Sequence, residues 1–451
     1  MTDSFDLIII GSGSGNAIPE SMADWKIALV ERGTFGGTCL NVGCIPSKMF
    51  VLPADIAESA KHGPELGVDT SFSGVDWPAI RDRVFGRIDP IAEGGREYRA
   101  TGTPNVELIH GTARFTDPKS FDVDGRTITA PKIVVAAGSR PNMPPIDGLS
   151  TVRFHTSDSI MRLPELPKRL GIIGGGFIAA EMGHVFAGFG SDVTLFNRSG
   201  TLLRSQDGEV SKRFTEVFGQ RATLCLGHVP EKVEQDGDTI VVTSKGTRYE
   251  FDELLLASGR EPNTDLVDAA AGGLETHHNG RIVVDEFMET TVEGTYALGD
   301  IANDWQLKHV ANAEAKVVFT NLDNPDARTT MDYSAVPSAV FSNPQVATVG
   351  LTEEQVKAAG RSYRVGKRDF GGTAYGWALE DATSFAKVLV DTSTDLILGA
   401  HIIGPQSASL IQPLIQAMQF GQTATDVAEK VFYIHPALTE VVENALIDAA
   451  G

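Results

Sequence analysis

Gly36-Gly37-Thr38-Cys39-Leu40-Asn41-Val42-Gly43-Cys44-Ile45-Pro46-Ser47-Lys48 places two cysteines five positions apart, just after an apolar run, Lys26–Glu31, that reads as a strand ending in a carboxylate. Before it lies Gly11-Ser12-Gly13-Ser14-Gly15-Asn16, entered from a strand-like run at Phe5–Ile10. Glycines directly after a strand allow a tight turn and close approach of the backbone to a pyrophosphate, and a helix starting there offers free N–H groups and a favourable dipole. A dithiol beside such a unit points to two electrons passed through a disulfide.

The pattern recurs. A strand at Leu170–Ile173 leads into Gly174-Gly175-Gly176-Phe177-Ile178-Ala179, and the next strand, Asp192–Phe196, ends at Asn197-Arg198. One glycine fingerprint is weak; two, each between a strand and a helical pattern, make a duplicated dinucleotide-binding unit. The first copy departs from the fingerprint with Asn16 at its sixth position, and its helical stretch is short.

Outward from these units, 451 residues are too many for one core and imply two to four domains. A net charge of −21 disfavours nucleic acid and anionic membranes as partners and serves solubility. Three cysteines, Cys39, Cys44 and Cys225, are too few for a secreted disulfide framework or a four-cysteine zinc site. Cys225 reads as a buried apolar residue. The start, MTDSFDLIII, has no basic region and reads as a first strand, not a signal peptide. No run approaches the ~18 apolar residues of a membrane span. A cytoplasmic protein is expected. Lys132–Ala137 and Glu253–Ala257 are buried-type strands followed by Gly138-Ser139-Arg140-Pro141 and Ser258-Gly259-Arg260-Glu261-Pro262-Asn263. After Met331 come strands, including Phe385–Val390, and helical segments without a glycine-rich loop.

Several side chains suggest roles. Glu31 can hydrogen-bond both hydroxyls of a ribose, although a solvated strand-end glutamate looks the same. Asn197 replaces the carboxylate that favours NAD, and Arg198 and Arg204 can grip a 2′-phosphate, so NADPH is expected over NADH. The rival reading is two solvated arginines. His435-Pro436-Ala437-Leu438-Thr439-Glu440 pairs an imidazole with a carboxylate that can orient it and favour its charged form, as a general acid–base requires.

The cysteine run, the ALGD at Ala297–Asp300 and the HPxxxE at His435–Glu440 together resemble the pyridine nucleotide–disulfide oxidoreductases, the family that contains the reductases of glutathione, mycothione, trypanothione and lipoamide. The likeness runs from Phe5 to Ala445. It implies an α/β chain with two Rossmann-like dinucleotide-binding domains plus an α+β C-terminal dimerisation domain. Residues 1–147 and 263–331 would bind FAD, 148–262 NADPH, and 332–451 would form the interface. On the FAD side it implies Gly11, Gly13, Ser14, Gly15, Glu31, Thr38, Lys48, Ala113 and Asp300. On the nicotinamide side it implies Gly174, Gly175, Gly176, the gate Phe177, Ile178, Arg198, Arg204 and Gly259, with Glu181 as partner of Lys48. That lysine would stabilise reduced flavin electrostatically.

By the same resemblance, NADPH reduces FAD and the flavin reduces a Cys39–Cys44 disulfide. Cys44 would be the flavin-side thiolate of the charge-transfer complex. Cys39 would be the interchange thiol, its pKa lowered beside cationic His435. In the family that histidine, oriented by Glu440, reaches the other subunit's cysteines, so a homodimer is implied. The substrate is a low-molecular-weight disulfide. GSGSGN at Gly11–Asn16, VFGRIDPIA at Val84–Ala92, LKHVANAEA at Leu307–Ala315, AYGWALED at Ala374–Asp381 and IHPALTEVVENAL at Ile434–Leu446 look most like the branch that reduces mycothione disulfide. Glutathione disulfide remains open, since spacing does not separate it. Lipoamide is opposed by Asn197-Arg198. Mercuric reductases normally carry an extra C-terminal cysteine pair, whereas this sequence ends ALIDAAG. A flavin-bound docking subunit of a multienzyme complex is the reading from a different class; no lipoyl-type domain or flexible linker favours it.

Overall fold

Leu7–Ile10 is buried along its whole length, as a parallel strand covered on both faces must be. In the computed structural model, which describes residues 2–450, it lies at the centre of a five-stranded parallel sheet. The order across that sheet is Thr295–Ala297, Lys132–Val135, Leu7–Ile10, Ile27–Glu31, Val106–His110. A second parallel sheet has the order Thr223–Leu226, Asp192–Asn197, Arg169–Ile173, Glu253–Leu256. The third is antiparallel: Pro337–Val340, Val346–Gly350, Ile397–Ile403, Phe385–Asp391, Tyr363–Asp369. The fold is therefore mixed α/β, with two doubly wound parallel sheets and a C-terminal α+β unit. Thr295–Ala297 returns to the first sheet after the chain has built the second, so the first unit is discontinuous in sequence. The outgoing and returning segments, Ser139–Pro141 and Arg260–Pro262, pair antiparallel with each other.

The two parallel sheets repeat one steric device. Gly11 has φ +104°, and a Cβ there would sit 2.4 Å from the Ala136 carbonyl oxygen. Gly174 has φ +140°, and a Cβ there would sit 2.1 Å from the Ala257 carbonyl oxygen. In each unit the first glycine lets the turn pass directly over the end of the neighbouring strand.

The two turns then differ. Phe177–Gly188 is the expected helix. After Gly11–Asn16, however, no α-helix forms: the chain makes short 3-10 turns at Ser14–Asn16 and Glu20–Met22. Pro19 lacks an N–H and disfavours helical backbone at the residue before it, which stops propagation. The turn is clamped from outside. Arg99, on the long helix Trp77–Thr101, donates to the Asn16 Oδ1 and carbonyl oxygen at 2.7 and 3.0 Å. The helix dipole expected at this first loop is therefore missing.

The dithiol helix, Cys44–His62, packs along Phe177–Gly188, with Phe50, Val51, Ala54, Ala180 and Phe186 in one shared core. His184, fully buried, meets Asp55 at 2.8 Å and Arg221 at 2.9 Å, and Lys61 donates to the Gly188 carbonyl oxygen at 2.9 Å. A second polar cluster joins the nucleotide unit to the antiparallel sheet. Lys387, 1% exposed on the strand Phe385–Asp391, meets Asp207 at 3.1 Å, Glu353 at 2.6 Å and Glu209 at 3.4 Å. Among the described residues no helix is long and apolar enough to cross a membrane.

Removing one member of a buried ion cluster strands the others without compensation. Lys387→Met is expected to lower stability by about 3 kcal/mol, read as a lower urea midpoint. Hydrogen bonds from Lys357 and Lys387 hold the Glu353 carboxyl down to about 2. A depressed folded-state pKa gives stability that is present above the unfolded value of 4.5 and lost as pH falls towards 2. Acid titration of the urea midpoint should show that loss in the parent protein.

Candidate active site

The cysteines sit on two consecutive helical segments. Gly36, in the left-handed region at φ +99°, starts Gly37–Asn41, and Gly43 precedes Cys44–His62. This bend brings Cys39 and Cys44 within hydrogen-bond reach of each other. Cys39 donates a hydrogen bond that pulls the Cys44 thiol down to about 7; Lys48 assists and burial opposes. Cys39 is pushed far up by the same bond, by burial and by the neighbouring Cys44 charge. Within one chain this hydrogen bond favours the anion on Cys44; the acidification expected of Cys39 belongs to His435 of a second subunit. Nothing from its own chain's His435 reaches either sulfur by hydrogen bond, and only Lys308 acts on Cys39 in the lowering direction through charge.

Lys48 lies one turn beyond Cys44 and donates to both oxygens of Glu181, at 2.7 and 2.8 Å. Glu181, on the helix after the second glycine loop, also accepts from the Phe341 amide at 3.0 Å. The Lys48 ammonium stands 4.7 Å above the Phe341 ring. One ion pair thus gathers the dithiol helix, the second nucleotide unit and the edge of the antiparallel sheet. Phe341 carried no signal in the sequence.

Glu31 folds back on the first loop, accepting from the Ser12 amide and hydroxyl at 2.8 and 2.7 Å and from the Gly33 amide at 2.7 Å. Ser12 in turn accepts from the Gly36 amide at 2.8 Å. A Cβ on Gly37 would lie 2.8 Å from the Gly13 Cα, so this loop and the dithiol segment touch backbone to backbone. Asp300 follows the strand Thr295–Ala297 and accepts from the Ser139 hydroxyl at 2.6 Å. Thr38 is exposed beside Cys39. Ala113 is buried with its methyl in the core, leaving only its main chain for a ligand.

Gly15 is required by the protein itself, since a Cβ there would lie 2.8 Å from the Ala136 methyl; Gly175 likewise abuts the Asn197 side chain. Over the other two loop glycines the space is open: a Cβ on Gly13 would meet nothing closer than 4.0 Å, and one on Gly176 nothing within 4 Å. Open space over a strand-end glycine turn fits the close approach of a pyrophosphate. Phe177 is 44% exposed at the mouth of the second loop, Ile178 is half-buried beneath it, and Gly259 is exposed at φ +107°.

Asn197 is buried, not turned to a ribose: its amide donates to the Ser199 and Thr201 carbonyl oxygens at 3.2 and 2.8 Å. It braces the loop that carries Arg198 and Arg204, both exposed and, among the described residues, without a carboxylate partner. His435 lies on the antiparallel unit with its Nδ1 2.7 Å from Glu440 Oε1 and its side chain 72% exposed. Glu440 Oε2 is buried without a partner. Phe420, Phe432 and Ile434 are exposed near it in sequence, and Ile45, Leu52 and Ile56 are exposed on the dithiol helix.

Two family models cover this chain: pyridine nucleotide-disulphide oxidoreductase over residues 5–315, and the dimerisation domain of that family over 336–446. The chain belongs to the pyridine nucleotide–disulfide oxidoreductases. A mycothione reductase of Mycobacterium tuberculosis is 44% identical over 99% of both chains. A mercuric reductase of Lysinibacillus sphaericus is 34% identical over 95% of this chain and 79% of its own. Among solved structures, the Cu(II) complex of the HOCl-induced flavoprotein disulfide reductase RclA from Escherichia coli superposes with a TM-score of 0.87 at 27% identity, covering 99% of both chains. This oxidoreductase is therefore a flavoprotein enzyme whose cofactors are FAD and a pyridine nucleotide, and it carries the family's dimerisation domain.

Lys48 lowers the Cys44 pKa and Glu181 raises it. A Lys48→Met variant should move the Cys44 midpoint above 7 by about one pH unit, and Glu181→Gln should move it down. Thiolate absorbance of the reduced protein against pH reads both.

Proposed function

We propose that this enzyme reduces mycothione disulfide with NADPH, as a cytoplasmic homodimer whose active sites are shared between subunits. The full-length similarity to the M. tuberculosis mycothione reductase supports the substrate. In this reading residues 1–147 and 263–331 hold FAD, 148–262 hold NADPH and 332–451 form the interface.

FAD held here would supply two-electron chemistry, from nicotinamide hydride to the dithiol pair. Gly11, Gly13, Ser14 and Gly15 cradle its pyrophosphate, Glu31 its adenosine ribose, Asp300 its ribityl–phosphate region, and Thr38, Lys48 and Ala113 line the rest. Gly174, Gly175, Gly176, Ile178 and Gly259 hold NADPH, with Phe177 as the gate. Arg198 and Arg204 bind the 2′-phosphate, and the Asn197 brace positions the loop that carries them.

The thiols carry the reductive half of the work. Cys39 attacks one sulfur of the substrate; its electron pair forms the mixed disulfide as the substrate S–S bond breaks. The first thiolate leaves and takes a proton from His435 of the partner subunit, which Glu440 of the same subunit orients. Cys44, with the Lys48 ammonium beside it, then attacks Cys39 as a thiolate, closes the Cys39–Cys44 disulfide and releases the second thiolate, which takes a proton from solvent. The exposed apolar residues around His435 and along the dithiol helix suit burial in a dimer interface. A dithiol working state suits the reducing cytoplasm.

The test is NADPH oxidation by the holoenzyme with mycothione disulfide, glutathione disulfide and lipoamide. Preference for mycothione disulfide by about 100-fold in kcat/KM is expected; equal or greater turnover of another disulfide contradicts the substrate assignment. In the same assay, Arg198→Ala and Arg204→Ala should each raise the KM for NADPH by about 10-fold and leave that for NADH unchanged.

A further inference from the structure

Glu314 is a fully buried carboxylate on the helix Lys308–Asp323, and the chemistry assigned above leaves it without a role. Burial raises its pKa, as does the neighbouring charge of Asp300. Among the described residues no lysine, arginine or histidine pairs with it. Its shell consists of hydrogen-bond donors alone. The Gly299 amide donates to Oε2 at 2.7 Å, the Asn303 side-chain amide to both oxygens at 2.9 Å, and the Tyr333 hydroxyl to Oε1 at 2.6 Å. Such a shell suits the ionised carboxylate, which only accepts. A core charge without a counter-ion is costly, a departure that marks functional sites.

The turn that carries Asp300 is what this carboxylate fixes. Gly299 precedes Asp300 in the 3-10 turn Gly299–Ile301 and stands at φ +74°. Asn303 closes the same stretch: its Oδ1 accepts from the Trp305 and Gln306 amides at 2.9 and 3.3 Å, and its main-chain N–H donates to the Gly299 carbonyl oxygen at 3.0 Å. Glu314 therefore grips the chain on both sides of Asp300, by backbone at one end and by side chain at the other. The Asp300 carboxylate stays 23% exposed, with the Ser139 hydroxyl donating to it at 2.6 Å. Tyr333 lies outside the turn, on the segment that leads into the antiparallel sheet.

We propose that Glu314 is a positioning residue for the flavin cofactor: it holds the Gly299–Asn303 turn so that the Asp300 carboxylate is set to bind FAD. The inference rests on the contact between Asp300 and FAD proposed above.

The experiment times the release of FAD from the diluted holoenzyme, read as the rise of flavin fluorescence. Glu314→Gln keeps size and shape. Whichever way its amide turns, an NH2 faces the Asn303 NH2, which lies 2.9 Å from both oxygens in the parent. This variant should release FAD about 10-fold faster. Adding Asn303→Asp restores both the donor–acceptor match and the lost negative charge, and the double variant should return to within about 3-fold of the parent. Tyr333→Phe should release FAD at the parent rate, and the dissociation constant for NADPH should be the same in all of them. Parent-rate release from Glu314→Gln overturns the proposal. So does a double variant as fast as the single one, or Tyr333→Phe as fast as Glu314→Gln. Asp300→Ala, run beside them, tells the two failures apart. Faster release from Asp300→Ala with parent-rate release from Glu314→Gln removes the role of Glu314 alone. Parent-rate release from Asp300→Ala contradicts the placement of Asp300 at FAD, and with it the proposal.

Discussion

The ion pair between Lys48 and Glu181 is the constraint on which the rest of the site depends. Its two residues come from helices that belong to different nucleotide-binding units, and its carboxylate is capped by the Phe341 amide from the antiparallel sheet. The Glu181 side chain is 5% exposed and the Lys48 side chain 35%, so removing Lys48 would leave a nearly buried carboxylate uncompensated. The pair fixes the turn of helix that follows Cys44. It therefore ties the segment that bears Cys44 to the helix after the second glycine loop. The buried cluster of Lys387, Asp207 and Glu353 does the same on the far side of the nucleotide unit, close to the loop that carries Arg204.

The electrostatic consequence is an unequal dithiol. A hydrogen bond between two neighbouring sulfurs acidifies one at the expense of the other, here Cys44, and Lys48 adds to the lowering. His435 is 72% exposed and, among the described residues, bonded by its ring only to Glu440.

Much of this was legible in the sequence because it is local. The glycine turns, the CxxxxC spacing, Lys48 one turn after Cys44, and the His435–Glu440 pair are all set by short-range pattern. The partnership of Lys48 with Glu181 was accessible only through family resemblance, since 133 positions separate them. The failures have physical causes. The helix expected after Asn16 is blocked by Pro19 and replaced by a clamp from Arg99, a contact across 83 positions. Asn197 looked like a nucleotide-reading side chain and is an internal brace, because burial cannot be read at a strand end.

The claim at the centre is that two electrons pass through Cys39 and Cys44 and through no other cysteine. The direct measurement is differential alkylation of the holoenzyme, before and after anaerobic reduction with NADPH, followed by peptide mass spectrometry. The account predicts that Cys39 and Cys44 are protected before reduction and both become alkylated after it, while Cys225 reacts to the same extent in both samples. Unchanged labelling of the Cys39–Cys44 peptide, or a change at Cys225, would contradict it.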